Sequence, residues 1–132
     1  MIYFDTDVWI HSLICQDEGK HKQACKIINT HKDGFIISTL NLQEIIFVLG
    51  KLEVDKTIAN KILNYLFKLE VIEHSAKDVK DAWDLVQHMK FVNINDCLHT
   101  IIAMRHCGSL TTYNKKDFKK IAKLTDLKIT IL

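Results

Sequence analysis

The chain has 132 residues, 48% hydrophobic and 26% charged, with a formal net charge of +2. This is ordinary globular composition, enough for one core and one domain over 1–132, and it excludes a disordered chain. The mild charge permits a nucleic-acid partner without demanding one. No apolar run approaches the ~20 residues of a membrane span, which excludes a membrane-spanning helix.

Residues 2–6 read as a strand, followed by helices over 7–16 and 20–32 and an Asp33-Gly34 turn. The apolar run FIIS at 35–38 suits a strand buried on both faces. Ser38 or Thr39 then caps a helix running to about Leu52, and Asp55 caps the next, with Ile58, Ile62, Tyr65 and Leu66 at helical spacing. Residues 70–74 make a third strand. Ser75 and Asp78 form a capping box for a helix to about Lys90. Asn93 or Asn95 opens a helix that Gly108 ends, 110–112 is a fourth strand, Asn114 caps a short helix, and KITIL closes the chain as a fifth strand. Strands alternating with helices predict an α/β fold with a mainly parallel sheet covered on both faces. In such sheets ligands sit beyond the carboxyl ends of the strands.

Four acids fall near that edge. Asp5 ends the first strand, and Glu44 sits on the second turn of the helix after the second. Asp96 lies at the start of the helix before the fourth strand, and Asp117 on the first turn after it. Carboxylates ~5–6 Å apart repel by about 3 kcal/mol per pair at an effective dielectric near 20. A domain stable by only about 5–15 kcal/mol sustains that poorly. An all-oxygen, highly anionic set therefore points to Mg²⁺ or Mn²⁺. Structural readings compete: Asp117 as the cap partner of Asn114, Asp7 as a cap of the first helix, and Asp96 as a charge favouring its helix dipole. Glu44, inside an apolar helix, has no such reading. Asp78, Asp81 and Asp84 read as a solvated face.

The lysines 115, 116, 119, 120 and 123 face away from Phe118, Ile121 and Ala122. They are either a solvated helix face or a patch that tracks phosphates, with Lys115 and Lys116 nearest the acids and Lys20, Lys22 and Lys26 as an extension. Trp9 reads as core. Cys15, Cys25, Cys97 and Cys107 show no CxxC spacing and read as free thiols of a cytoplasmic protein, and no leader sequence is visible.

The segments FDTDVWI, LQEII, NDCLHTIIAM and TTYNKKDF, in this order and over nearly the whole chain, resemble the PIN-domain family. Within it they resemble the VapC-type toxin ribonucleases of VapBC toxin–antitoxin modules. The resemblance implies a Rossmann-like sheet of order 3-2-1-4-5, Mg²⁺- or Mn²⁺-dependent cleavage of RNA, a homodimer and an inhibiting antitoxin. By motif, Asp5, Glu44, Asp96 and Asp117 match the acidic metal-site positions. Thr6 matches the small polar residue beside the first acid, and Thr112 and Asn114 match the TxN before the last. Asp7 stands where asparagine is common, and Cys97 and His99 stand where small residues are common. Two other functions fit an acid-edged parallel sheet. A receiver-type signalling domain needs an aspartate ending strand three, where this chain has Glu73-His74. A non-catalytic PIN-like interaction module does not need all four acids.

Overall fold

The computed structural model describes residues 1–32 and 34–132; of the expected Asp33-Gly34 turn, Asp33 lies outside the described residues. The chain runs β1 (Ile2–Phe4), α1 (Thr6–Leu13), α2 (Glu18–Thr30), β2 (Phe35–Ser38), α3 (Thr39–Lys51), α4 (Lys56–Leu66) and β3 (Val71–Ile72). It continues through α5 (Ala76–Val86), a 3₁₀ turn (Phe91–Asn93), α6 (Ile94–His106), β4 (Ser109–Thr112), α7 (Lys115–Ile121) and β5 (Lys128–Ile131). The strands form one sheet of order β3-β2-β1-β4-β5, and every pairing is parallel. No helix among the described residues is long and apolar enough to cross a membrane.

Successive strand residues point to opposite faces, so the central strands feed two cores. Tyr3, Ile36 and Leu110 face α5, α6 and α7 through Ala82, Val86, Leu98, Ile102 and Phe118. Phe4 and Ile37 face α1, α3 and α4 through Val8, Trp9, Leu42, Ile45 and Leu66. Trp9 is core, as the sequence suggests. α4 is less well covered: Leu66 is buried, but Ile58 and Tyr65 are about half exposed.

The caps decide where several elements differ from the sequence reading. The first strand stops at Phe4 because Asp5 turns to cap α1, accepting from the Thr6 N–H at 2.8 Å. Ser38 with Asn41 and Ser75 with Asp78 form the boxes that start α3 and α5. α5 ends at Val86, four residues before the expected stop, and the chain re-enters helix through the 3₁₀ turn. Gly108 does not end α6 with a left-handed turn; the one positive φ of a non-glycine residue among those described is Glu53, at 53°, just past α3.

Candidate active site

The order reverses beside β1, whose neighbours β2 and β4 carry the chain to opposite edges of the sheet. The crevice beyond their carboxyl ends is the expected ligand site of such a sheet. Asp5 enters it directly from β1. Its backbone N–H donates to the Thr111 carbonyl at 2.9 Å, extending the β1–β4 ladder by one bond. One carboxylate oxygen takes the Thr6 N–H and the other takes the Thr112 hydroxyl at 2.7 Å. The Thr112 oxygen accepts from the Asn114 N–H at 2.9 Å. Asn114 in turn caps α7, accepting from the Asp117 N–H at 3.2 Å and donating its amide to the Asp117 carboxylate at 3.0 Å. The TxN segment is thus a bracket that ties the Asp5 carboxylate to the start of α7. Asp117 is a cap partner as well as an acid at the crevice.

Glu44 reaches in from the second turn of α3. Its Oε1 accepts the Thr6 hydroxyl at 2.6 Å and faces His99 Nε2 at 2.5 Å, while Oε2 accepts the Asn95 amide at 3.2 Å. Thr6 is itself held by the Asn41 amide at 3.1 Å. His99 is buried, with Nδ1 2.6 Å from the Tyr3 hydroxyl and Nε2 3.6 Å from Asp5. Burial works to raise the Glu44 pKa, but the His99 hydrogen bond and charge, with the Thr6 and Asn95 donors, hold it below the ordinary value. Burial works the other way on His99. Its hydrogen bond to Glu44 and the charges of Asp5, Glu44 and Asp96 outweigh that and hold the imidazole above its usual range. Sequence reasoning missed His99 as a site residue. The available signal was an unusually large polar side chain one turn after Asp96, on a helix face that is otherwise apolar.

Asp96 lies in the first turn of α6, partly buried, where the Asn93 amide donates to it at 3.4 Å. Asn93 therefore serves Asp96 and makes no side-chain cap of its own helix. Burial, then the charge of Asp5, pushes the Asp96 carboxyl from an ordinary 3.8 up to about 6; Asp117 adds to this, while Asn93 and His99 oppose it. Asp5, Asp96 and Asp117 thus share one electrostatic field. Asp7 does not cap α1, as the sequence suggested, because Asp5 does. The Asp7 carboxylate turns to the end of β4 and accepts the Tyr113 N–H at 3.1 Å. Burial, then Asp5, raises it to about 7, against the Tyr113 and Thr112 donors.

A family model for the PIN domain matches residues 2–124. The chain belongs to the PIN-domain family. No curated protein matches the sequence. The fold of this PIN domain is similar to VapBC2 from Rickettsia felis, solved bound to a DNA fragment from its promoter: TM-score 0.71 and 21% identity, over 100% of this chain and 99% of that one. It is also similar to a toxin–antitoxin complex from Klebsiella pneumoniae, with a TM-score of 0.70 and 21% identity over 89% and 90% of the two chains. DNA-bound VapBC from Salmonella typhimurium matches with a TM-score of 0.70 and 15% identity over 98% and 96%.

The PIN-domain site can hold a cation. Asp5, Glu44 and His99 each offer an atom within 4.8 Å of the others. Burial raises Asp96 most, and the further push from the charges of Asp5 and Asp117 is the part that a hard divalent ion would relieve. Lys115 and Lys116 are exposed at the start of α7, and Phe118 and Ile121 bury its other face. Asp78 and Asp81 are not the solvated face read from the sequence. Asp78 is buried, and Arg105 of α6 pairs with both. Asp84 is exposed and pairs with Lys80.

Proposed function

We propose that this PIN domain, a single domain over 1–132, is a Mg²⁺- or Mn²⁺-dependent endoribonuclease and the toxin of a toxin–antitoxin pair, acting in the cytoplasm as a homodimer. The observation that carries the reading is the shared field of Asp5, Asp96 and Asp117 beside Glu44, at the crevice of a parallel sheet. Asp5, Glu44, Asp96 and Asp117 would hold the ion. When bound, it supplies Lewis-acid polarisation of a phosphodiester and neutralises charge on the leaving oxygen. The chain's own residues do the positioning. Thr112 and the Thr6 N–H fix the Asp5 oxygens, Asn114 fixes Asp117, and the Thr6 hydroxyl fixes Glu44. Lys115 and Lys116, exposed beside Asp117, meet the phosphates of an RNA strand entering from α7.

An antitoxin partner is supported by the complexes in which the structural neighbours occur. α3 and α4 also leave an apolar groove of about 380 Å³ between them, lined by Ile46, Leu49, Val54, Ala59 and Leu63, which suits an apolar helix. A basic antitoxin side chain placed against the carboxylates would then silence them. The reading is tested with a mixed RNA pool. Cleavage is expected with Mn²⁺ or Mg²⁺, absent in EDTA, and absent in Asp96→Asn. Cleavage that survives EDTA, or an Asp96→Asn variant as active as wild type, overturns it in favour of a non-catalytic interaction module.

A further inference from the structure

We infer that His99 acts in this site as the hydrogen-bond donor that positions Glu44, and is not one of the ligands of the metal. Its catalytic consequence rests on the ribonuclease reading above; its chemistry does not.

The imidazole belongs to the one group of acids and histidine with metal-compatible spacing among the described residues, so ligation is the obvious assignment. The hydrogen-bond pattern opposes it. An ionised carboxylate only accepts, so the 2.5 Å contact between Glu44 Oε1 and His99 Nε2 requires a hydrogen on Nε2. A nitrogen that donates has no lone pair for an ion. A ligating histidine normally offers one nitrogen to the metal and donates the other to a carboxylate or carbonyl behind it. His99 has the reverse arrangement. The nitrogen nearest the acids is the donor, and Nδ1 points away from them at the Tyr3 hydroxyl.

The ring is not free to exchange these roles. It is 1% exposed, and Tyr3 is anchored in turn by Ser38 at 2.7 Å. Ser38 belongs to the box that starts α3, the helix carrying Glu44. The chain of contacts therefore runs from the N-terminus of α3 through β1 and α6 and returns to α3 at Glu44. Two donors, His99 Nε2 and the Thr6 hydroxyl, occupy Glu44 Oε1. Oε2 has only the exposed Asn95 amide. Glu44 is thus held with Oε1 locked by two donors and Oε2 left with one; such prior ordering is what a reacting site needs.

The experiment uses the full chain loaded with Mn²⁺ or Mg²⁺. Pulsed electron paramagnetic resonance of the Mn²⁺ form is expected to show no coupling from a directly bound imidazole nitrogen. Nitrogen-15 NMR of the histidine rings is expected to show the His99 Nε2 proton retained before and after Mg²⁺ is added. His99→Leu should lower kcat by about 10–100-fold with KM little changed, and His99→Gln, which restores an amide donor, should recover much of the loss. His99→Leu should also weaken Mn²⁺ binding less than Asp5→Asn does. A bound-nitrogen signal, loss of the Nε2 proton with Mg²⁺, Mn²⁺ affinity that falls as far as in Asp5→Asn, or unchanged kcat in His99→Leu overturns the inference. The two spectroscopic readouts need no variant to fold. If wild type cleaves no RNA with either metal, the ribonuclease reading fails, and these spectra still decide the role of His99.

Discussion

Replacing Asp96 by asparagine removes a charge from a crowded site while keeping its shape. In the folded chain the carboxyl is pushed up to about 6, from an ordinary 3.8. A tenfold change in an equilibrium is about 1.4 kcal/mol, so ionised Asp96 costs the fold up to about 3 kcal/mol. The sign follows from which state binds the proton more tightly. Below about pH 4 the group is protonated in both states and costs nothing. Between about 4 and 6 the unfolded chain ionises first, and the cost grows. Above about 6 both states are ionised and the full cost remains. Asparagine never pays it, and it keeps an oxygen for the Asn93 amide, so Asp96→Asn in EDTA should be more stable by about 1–3 kcal/mol at pH 7.5. For a domain of this size that is roughly 3–12 °C in Tm. At pH 4 the two proteins should melt together. Saturating Mg²⁺ should reverse the order, because an ion bound only by the folded state adds about 2.7 kcal/mol at a hundred times its Kd, and the variant lacks one acid of the proposed ligand set. Thermal melts across pH 4–8, with EDTA and with Mg²⁺, measure all of this. A variant less stable than wild type at pH 7.5 in EDTA, or a difference unchanged at pH 4, refutes the shared-field account.

Asp7→Asn should also stabilise the metal-free chain, with the gain appearing as pH rises from about 4 to about 7. Asp7 and Asp96 each repel Asp5, two separate pairwise repulsions, so urea midpoints of the double variant should show about the sum of the two gains. Arg105→Ala should cost about 1–3 kcal/mol, between an exposed ion pair and a buried one, since Asp78 is left without its cation. Burial alone would raise Asp78, but the Ser75 N–H and Arg105 bring it below its ordinary value, so that stability is present at neutral pH and lost as pH falls through the folded pKa. Glu53→Gly should stabilise by about 0.5–1 kcal/mol, read by chemical denaturation, because its φ of 53° is strained for a residue with a Cβ.

Local signals carried most of the fold. FIIS spans β2 residue for residue, and Ser38, Asp55, Ser75 and Asn114 cap the helices expected of them. The errors lie where a residue answers to a partner far along the chain. Asp5 reads as the end of a strand, but its carboxylate is claimed by Thr6 and by Thr112, 107 residues away. Asp78 and Asp81 read as solvated because nothing nearby in sequence announces Arg105. His99 reads as one scattered histidine because its partners, Tyr3 and Glu44, are 96 and 55 residues distant. The expectation that four acids share one edge came from the strand ends of a parallel sheet, which position along each element is enough to place. Which donors hold each carboxylate is not a property of one segment, and no local pattern encodes it.

Of the five strands the central one, β1, is made first, yet one of its two neighbours is β4, and the bond from Thr112 to Asp5 closes over 107 residues. Long-range parallel pairing is slow, since a large loop must be ordered before the contacts return anything. During synthesis, an emerging chain that has reached only β3 has Asp5 and Glu44 but lacks His99, Asp96, Thr112 and Asp117. The acidic crevice is therefore a late product of translation. A chain stalled or cut before α6 lacks Asp96, His99, Thr112 and Asp117, and the stretch from α6 to β5 that completes the crevice takes roughly two to eight seconds of elongation at about 5–20 residues per second.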